Sequence, residues 1–201
     1  PVPLTDGLSI SKGESLLDTV RVICGFGDLL VIRHSEEAAI YLAGENASIP
    51  IINGGNGCDE HPTQTLLDLF TIEQYKGSID GLTVGLVGDL KYARTMHSLA
   101  KGLSLYDVTL VLVSPEELRL PTSIREGLQC KVIETPDLLE VLKNLDVLYI
   151  VMLQHHRIAD PVLQSHLKTR YYRLTPDLLQ HADPDMIILH PLVRQHEQFP
   201  G

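Results

Sequence analysis

The fold is decided by the segment TVGLVGDLKYAR, residues 83–94. Its first five residues form an almost continuous apolar run, which is typical of a strand buried on both faces of a parallel sheet. The run ends at Gly88-Asp89, and apolar residues at helical spacing follow from Arg94. A buried strand that leads into a helix is the first part of a βαβ unit, so this segment predicts an α/β protein with right-handed crossovers.

The same alternation of strands and helices extends along the chain in both directions. Strands are predicted at residues 29–33, 49–53, 83–87, 109–113, 148–152 and 186–189. Helices are predicted at residues 13–23, 36–42, 61–75 and 94–106, and a fifth opens at Thr135-Pro136-Asp137. The caps expected for the second and the fifth helix are Ser35 and Thr135.

A break in the pattern occurs at residues 76–82, KGSIDGL, between a long helix and a new strand. It predicts two lobes, residues 1–76 and residues 77–201. The predicted fold class is α/β, and each lobe is expected to be a parallel sheet flanked by helices.

Composition and charge limit the possible functions. Of 201 residues, 44% are hydrophobic and 21% are charged, which is typical of a soluble globular protein. The longest apolar run, residues 147–153, is far below the ~20 residues of a membrane-spanning helix. A net charge of −10 disfavours nonspecific binding to nucleic acid and to anionic membranes.

The termini and the cysteines indicate the location and the extent of the chain. Cys24, Cys58 and Cys130 lack CxxC spacing, which predicts reduced thiols in the cytoplasm. The chain starts at Pro1 without a Met or a signal peptide, and it ends soon after its last predicted strand. We therefore expect N- and C-terminal parts of the fold to be missing.

Cationic and amide side chains follow nearly every predicted strand. These exits are Arg33-His34, NGGNG at 53–57, GDLKYAR at 88–94, QHHR at 154–157 and HPLVR at 190–194. Ligands of open α/β sheets bind beyond the carboxyl ends of the strands. In an acidic chain, this clustering predicts a site for phosphate or carboxylate groups.

Simpler interpretations stay open for each residue taken alone. Arg33 fits a surface ion pair, and His61 fits a helix cap or a packed histidine. Neither Asp59-Glu60-His61 nor His155-His156 with His190 has convincing metal-ligand spacing, so no metal site is predicted. The chain also lacks a dinucleotide-binding motif, a Walker loop and a nucleophile elbow.

Five strings, taken in order, carry a resemblance to a known family. They are KGES at 12–15, RH at 33–34, HPTQTLLD at 61–68, GDLKY at 88–92 with RT at 94–95 and HS at 97–98, and LHPLVR at 189–194. In order and spacing, they resemble the catalytic chains of the aspartate carbamoyltransferase family over essentially the whole chain. The ornithine enzymes typically carry HPCQ and HCLP at the corresponding places.

The resemblance implies a reaction without a metal or an organic cofactor, in which the amine of L-aspartate attacks the carbonyl of carbamoyl phosphate. It implies that Arg33 binds the phosphate and that His61 hydrogen-bonds the carbonyl oxygen and stabilises its developing charge. It also implies that Gln64 binds the carbamoyl amide and that the backbone carbonyl of Leu192 accepts from the carbamoyl nitrogen.

For the second substrate, the resemblance implies that Arg94 and Gln154 bind aspartate. It places Lys12 on a loop that reaches into the site of a neighbouring subunit, so a homotrimer with shared sites is expected. Holding two highly charged substrates together makes catalysis largely a matter of positioning and charge neutralisation.

The sequence departs from the family pattern at several ligand positions. The phosphate-binding STRTR string and the last helices of the family have no counterpart here. Met152 stands where the family has an arginine two residues before the glutamine, and Val193 stands where it has a proline after a cis bond. Leu8 stands where it has a serine, which Ser9 replaces only if the loop shifts.

Three functional hypotheses follow. The first is an active aspartate carbamoyltransferase of pyrimidine biosynthesis, for which regulatory or multienzyme partners are also expected. The second is an inactive paralogue with a structural or regulatory role, and the third is a carbamoyltransferase for a different amine. Met152 motivates the second and the third, because it cannot pair with a carboxylate.

Overall fold

The computed structural model describes residues 13–192, and the chain divides into two compact units, residues 1–63 and 64–201. The first unit contains α1 (Leu16–Cys24), β1 (Leu30–His34), α2 (Ala38–Asn46) and β2 (Ile51–Asn56). The division falls in the first turn of α3 (Pro62–Lys76). The lobe boundary at residues 76/77 stays a prediction.

The two strands of the first unit run parallel, with Leu30 opposite Ile51 and His34 opposite Asn56. One face of this sheet contributes to an apolar core with α1 and α2, in which Val20, Cys24, Ile32 and Ala43 are buried. Helices on a sheet of parallel strands are what the sequence predicted for this lobe.

Two local expectations for the first unit were wrong. Residues 54–56, expected beyond the end of the strand predicted at 49–53, belong to β2, because the ladder continues past a register irregularity between Ile32 and His34. Ser35 does not cap α2, which begins after Glu37 without a side-chain cap. The nearby Glu36 N–H instead donates to Nδ1 of His34 at 3.0 Å.

The second unit is built on a five-stranded, fully parallel sheet with the strand order β5-β4-β3-β6-β7. Its strands are β3 (Thr83–Val87), β4 (Thr109–Val113), β5 (Lys131–Thr135), β6 (Val147–Ile150) and β7 (Ile187–Leu189). Its further helices are α4 (Arg94–Leu103), α5 (Thr122–Arg125), α6 (Leu138–Leu142), α7 (Pro161–Arg170) and α8 (Pro176–Leu179), with 3-10 turns at Glu116–Leu118 and His155–Arg157.

Strand β5 and helices α5, α7 and α8 were not predicted from the sequence, and one cap was misassigned. Thr135 is the last residue of β5, and Asp137 caps α6 by accepting from the N–H groups of Leu139 and Glu140. Asp160 and Thr175 cap α7 and α8 in the same way, each followed by proline. Both helix starts therefore carry a capping residue and a proline that are recognisable in the sequence.

Apolar layers cover both faces of the central strands in the second unit. Strands β3, β4 and β6 contribute residues to both cores, and α4 lies in the larger one through Met96, Leu99 and Leu103. The near-continuous apolar runs of these strands are explained by burial on both faces.

Candidate active site

The strand order of the second unit reverses between β3 and β6, which is where open α/β sheets have a crevice. The chain passes from β3 to β4 on one side and later returns to β6 on the other side. Val87 lies opposite Ile150, so the segments that follow both strands leave the sheet at the same edge. Such a reversal of strand order is where open α/β sheets bind ligands.

Asp89 joins the two segments that line this crevice. Its carboxylate is fully buried. Oδ1 accepts from the backbone N–H groups of Lys91 and Tyr92 at 3.2 and 2.9 Å, and Oδ2 accepts from that of Gln154 at 3.0 Å. Burial raises the pKa of Asp89, and these hydrogen bonds act in the opposite direction. The carboxylate therefore fixes the exit of β6 against the exit of β3.

Arg94 and Gln154, the predicted aspartate ligands, belong to these two segments. Arg94 is the first residue of α4, and Gln154 lies four residues beyond β6; both side chains are half-buried. Nε2 of Gln154 donates to the carbonyl of Met152 at 3.4 Å. Met152 itself is half-buried and brings no charge to this edge of the sheet.

Tyr171 hydrogen-bonds to the backbone at the same edge of the sheet. Its hydroxyl donates to the carbonyl of Val151 at 2.9 Å. Burial raises the pKa of this tyrosine well above its ordinary value, so it stays a neutral donor at physiological pH. Gly88 has φ +119°, and its lack of a side chain lets the Tyr171 hydroxyl and the Val151 carbonyl lie close to it.

Gln64, the predicted carbamoyl ligand, is held by a second buried carboxylate. Its Nε2 donates to Oδ1 of Asp68 at 3.0 Å, one turn further along α3. Oδ2 of Asp68 accepts from the hydroxyl of Tyr149 on β6 at 2.8 Å. Burial raises the pKa of Asp68 to about 6, although both hydrogen bonds lower it.

In the first unit, the structure brings Arg33 and His61 together. Nη1 of Arg33 lies 3.3 Å from Nε2 of His61 and 3.5 Å from the carbonyl of Gly54. A guanidinium only donates, so Nε2 of His61 accepts and the ring proton sits on Nδ1. That proton is then shared with Oγ1 of Thr63 at 3.3 Å.

The remaining predicted residues lie near or beyond the described ends. Leu192 is exposed, has φ +57°, and donates its N–H to Nδ1 of His190 at 2.9 Å. Lys12 lies outside residues 13–192, as do Leu8, Ser9 and Val193.

The histidine-containing clusters are engaged in local contacts. Within residues 13–192, no group of three or more His, Cys, Asp or Glu side chains is arranged to hold a metal ion. Asp59 accepts from the Tyr41 hydroxyl at 2.6 Å and from Nδ2 of Asn56 at 3.0 Å.

None of the helices within residues 13–192 combines the length and the apolar character of a membrane span.

Asp68, Asp89 and Tyr149 are site residues that the sequence analysis did not single out. A signal was present for the first, because Gln64 and Asp68 are four residues apart on a predicted helix and such pairs hydrogen-bond. No comparable signal marks Asp89, because its partner Gln154 lies 65 residues further along the chain.

Two family models match nearly the whole chain. Residues 2–74 match the carbamoyl-P binding domain of aspartate/ornithine carbamoyltransferases, and residues 80–198 match the Asp/Orn binding domain. The aspartate carbamoyltransferase catalytic subunit of Thermococcus gammatolerans is 48% identical over 196 residues, which are 96% of this chain. The match spans only 63% of that relative's length.

Solved structures give the same result at the level of the backbone. Aspartate transcarbamoylase from Trypanosoma cruzi, in complex with carbamoyl phosphate and aspartate, is 40% identical with a TM-score of 0.90, and the match covers 98% of this chain and 65% of that one. The M. jannaschii catalytic subunit is 46% identical with a TM-score of 0.81, over 94% of this chain and 62% of that one.

Proposed function

Because the chain belongs to the aspartate/ornithine carbamoyltransferase family, we propose that the protein transfers the carbamoyl group of carbamoyl phosphate to L-aspartate. The aspartate amine forms a bond to the carbamoyl carbon, the bond from that carbon to the phosphate oxygen breaks, and the departing phosphate takes up the proton that the amine loses. The products are carbamoyl aspartate and phosphate, and no metal or organic cofactor takes part.

The observation that carries this proposal is the contact between Arg33 and His61. The two side chains come from segments 28 residues apart and meet at 3.3 Å. Arg33 brings a permanent positive charge for the phosphate, and a bound phosphate would compete with His61 for the guanidinium. His61, no longer an acceptor for Arg33, then donates a ring N–H to the carbamoyl oxygen, where negative charge develops during attack.

The aspartate side of the site is proposed for Arg94 and Gln154. They follow neighbouring strands at the reversal of strand order, and Asp89 fixes the backbone of Gln154. In this proposal residues 1–76 form the carbamoyl phosphate lobe and residues 77–201 form the aspartate lobe. The Leu192 carbonyl accepts from the carbamoyl nitrogen.

The proposal also includes a role for Lys12, a homotrimeric assembly and a cytoplasmic location. Lys12 would reach a neighbouring subunit's site and neutralise substrate charge there, which requires subunits that share sites. Regulatory or multienzyme partners fit the same assembly.

The test is carbamoyl aspartate formation by the full-length protein, with Arg33→Gln and His61→Asn as variants. Loss of a positioned donor to a developing oxyanion lowers kcat by about 10²–10³-fold. Arg173→Gln and His181→Asn are matched controls, because both residues are exposed in the second unit. A wild-type protein that is folded and trimeric but yields no carbamoyl aspartate would refute the proposal.

One residue motivates a second candidate, an inactive paralogue. Met152 offers no charge at the crevice edge, and its carbonyl holds the side chain of Gln154. Loss of a carboxylate anchor typically weakens binding by several kcal/mol. This candidate predicts that Met152→Arg raises the affinity for aspartate at least tenfold. Wild-type turnover with ordinary aspartate saturation would exclude it. Turnover with another amine alone would indicate that the acceptor substrate has changed.

A further inference from the structure

A chain of hydrogen bonds connects β6 to the start of α3. The Tyr149 hydroxyl donates to Oδ2 of Asp68 at 2.8 Å. Oδ1 of Asp68 accepts from Nε2 of Gln64 at 3.0 Å. Tyr149 is fully buried and Asp68 is 5% exposed, so water does not replace these partners.

The chain of donors determines which end of the Gln64 amide faces Asp68. An ionised carboxylate only accepts hydrogen bonds, so it pairs with the NH2 end of the amide and not with the oxygen. The Tyr149 hydroxyl occupies the other carboxylate oxygen and keeps Asp68 from turning away. Oε1 of Gln64 is therefore the end left to meet a ligand.

We infer that Asp68 is a positioning residue that makes Gln64 an acceptor, and that this orientation selects an acyl phosphate bearing an NH2 group over one bearing a methyl group. The inference rests on the proposed function, because it takes Gln64 as the carbamoyl contact. Carbamoyl phosphate supplies one N–H donor to the Gln64 oxygen and leaves its second N–H for the carbonyl of Leu192. Acetyl phosphate has the same shape and charge but leaves that oxygen without a partner, which a buried site penalises.

The predicted effect of losing Asp68 is a loss of discrimination and not merely of binding. In Asp68→Asn, the amide at position 68 presents either an acceptor or a donor, so Gln64 turns either end to the ligand. An outward NH2 group of Gln64 opposes the NH2 group of carbamoyl phosphate and tolerates acetyl phosphate. The affinity ratio of the two ligands falls by about tenfold, the value of one hydrogen bond between polar groups.

The experiment measures equilibrium binding of carbamoyl phosphate and of acetyl phosphate to the full-length protein by calorimetry. Glu73→Gln is the matched control, because it makes a similar carboxylate-to-amide change at an exposed position of the same helix. It keeps the wild-type ratio. Tyr149→Phe removes one donor but leaves Asp68 to orient Gln64, so it keeps most of the preference.

A double variant, Asp68→Leu with Tyr149→Phe, answers the case in which Asp68→Asn does not fold. Replacing both partners of a buried hydrogen bond by apolar groups is close to neutral for stability, and this variant too loses the preference. Equal wild-type affinity for the two ligands, or an unchanged ratio in a folded Asp68 variant, overturns the inference. Wild-type discrimination without carbamoyl aspartate formation supports the inference and refutes the proposed function instead.

Discussion

The two units differ in how completely their sheets are covered. In the second unit, Leu86 and Leu148 on neighbouring central strands are fully buried on opposite faces. In the first unit, Ile32 is buried but its neighbour Val31 is 59% exposed. A two-stranded sheet has few partners for its second face, whereas the five-stranded sheet carries helices on both.

The same difference extends to the site residues. In the second unit, the buried Asp89 accepts three backbone hydrogen bonds of 3.2, 2.9 and 3.0 Å, which join the exits of β3 and β6. In the first, exposed Arg33 is held by contacts of 3.3 and 3.5 Å. This difference indicates that the proposed aspartate side is preorganised by buried polar groups, while the proposed phosphate side depends on charge that a ligand must draw into place.

The largest effect is expected for Gly88→Ala in the second unit. An added Cβ would lie 2.8 Å from the carbonyl of Val151 and overlap the Tyr171 hydroxyl, at φ +119°. Strain and overlap together cost more than about 4 kcal/mol of unfolding free energy, measured by denaturant titration. Gly77→Ala, also at positive φ but with nothing within 4 Å, is the control and costs about 1 kcal/mol; equal losses would contradict the close approach.

The next effect compares the two sheets directly. Leu86→Ala removes a fully buried side chain and costs about 3 kcal/mol, whereas Val31→Ala removes an exposed one and costs less than about 1 kcal/mol. Both are measured as unfolding free energies of the same protein. A comparable loss for Val31→Ala would mean that the outer face of the first sheet is covered in solution, and the contrast between the units would fail.

The sequence predicted the second unit best where burial is complete. The strands at 83–87 and 109–113 match the structure to the residue, because both of their faces are apolar. Strand β5 was missed because it is an edge strand with a largely exposed KVIET sequence that resembles a surface loop. Its strand character comes from pairing with β4, which no local pattern encodes.

For the candidate site, the sequence identified the residues that are proposed to face a ligand but not those that hold them. Arg33 and His61 were found through family strings, and the structure places them in contact. Asp89 was not singled out, because carboxylates are rarely fully buried and its burial follows only from how distant strands align. Such partners become visible only when segments far apart in sequence are placed together.

A smaller effect concerns the buried network of the second unit and its response to pH. The pKa of Asp68 rises from 3.8 in the unfolded chain to about 6 in the folded one, so the folded state binds more protons between these values. Its contribution therefore favours folding at low pH, and about 2 kcal/mol of that is lost as the pH rises from 4 to 7. Unfolding free energies measured across this range give the slope.

Asp68→Asn is the reference for that slope, because it removes the titrating group and keeps the shape of the side chain. The wild-type protein should lose stability relative to this variant as the pH rises. Parallel stability curves for the two proteins would mean that Asp68 titrates with an ordinary pKa and that the network is open to water.

The smallest effect on stability is expected for Arg33→Gln in the first unit. The side chain is exposed and its hydrogen bonds are long, so the unfolding free energy should change by less than about 0.5 kcal/mol. Arg125→Gln, which breaks the 2.7 Å ion pair with Glu134 in the second unit, is the control and should cost somewhat more. A loss above about 1 kcal/mol at Arg33 would assign it a structural role. If stability is unchanged while phosphate binding is lost, Arg33 contributes to ligand binding and not to folding. That result is expected where the arginine is held in place only once the phosphate is bound.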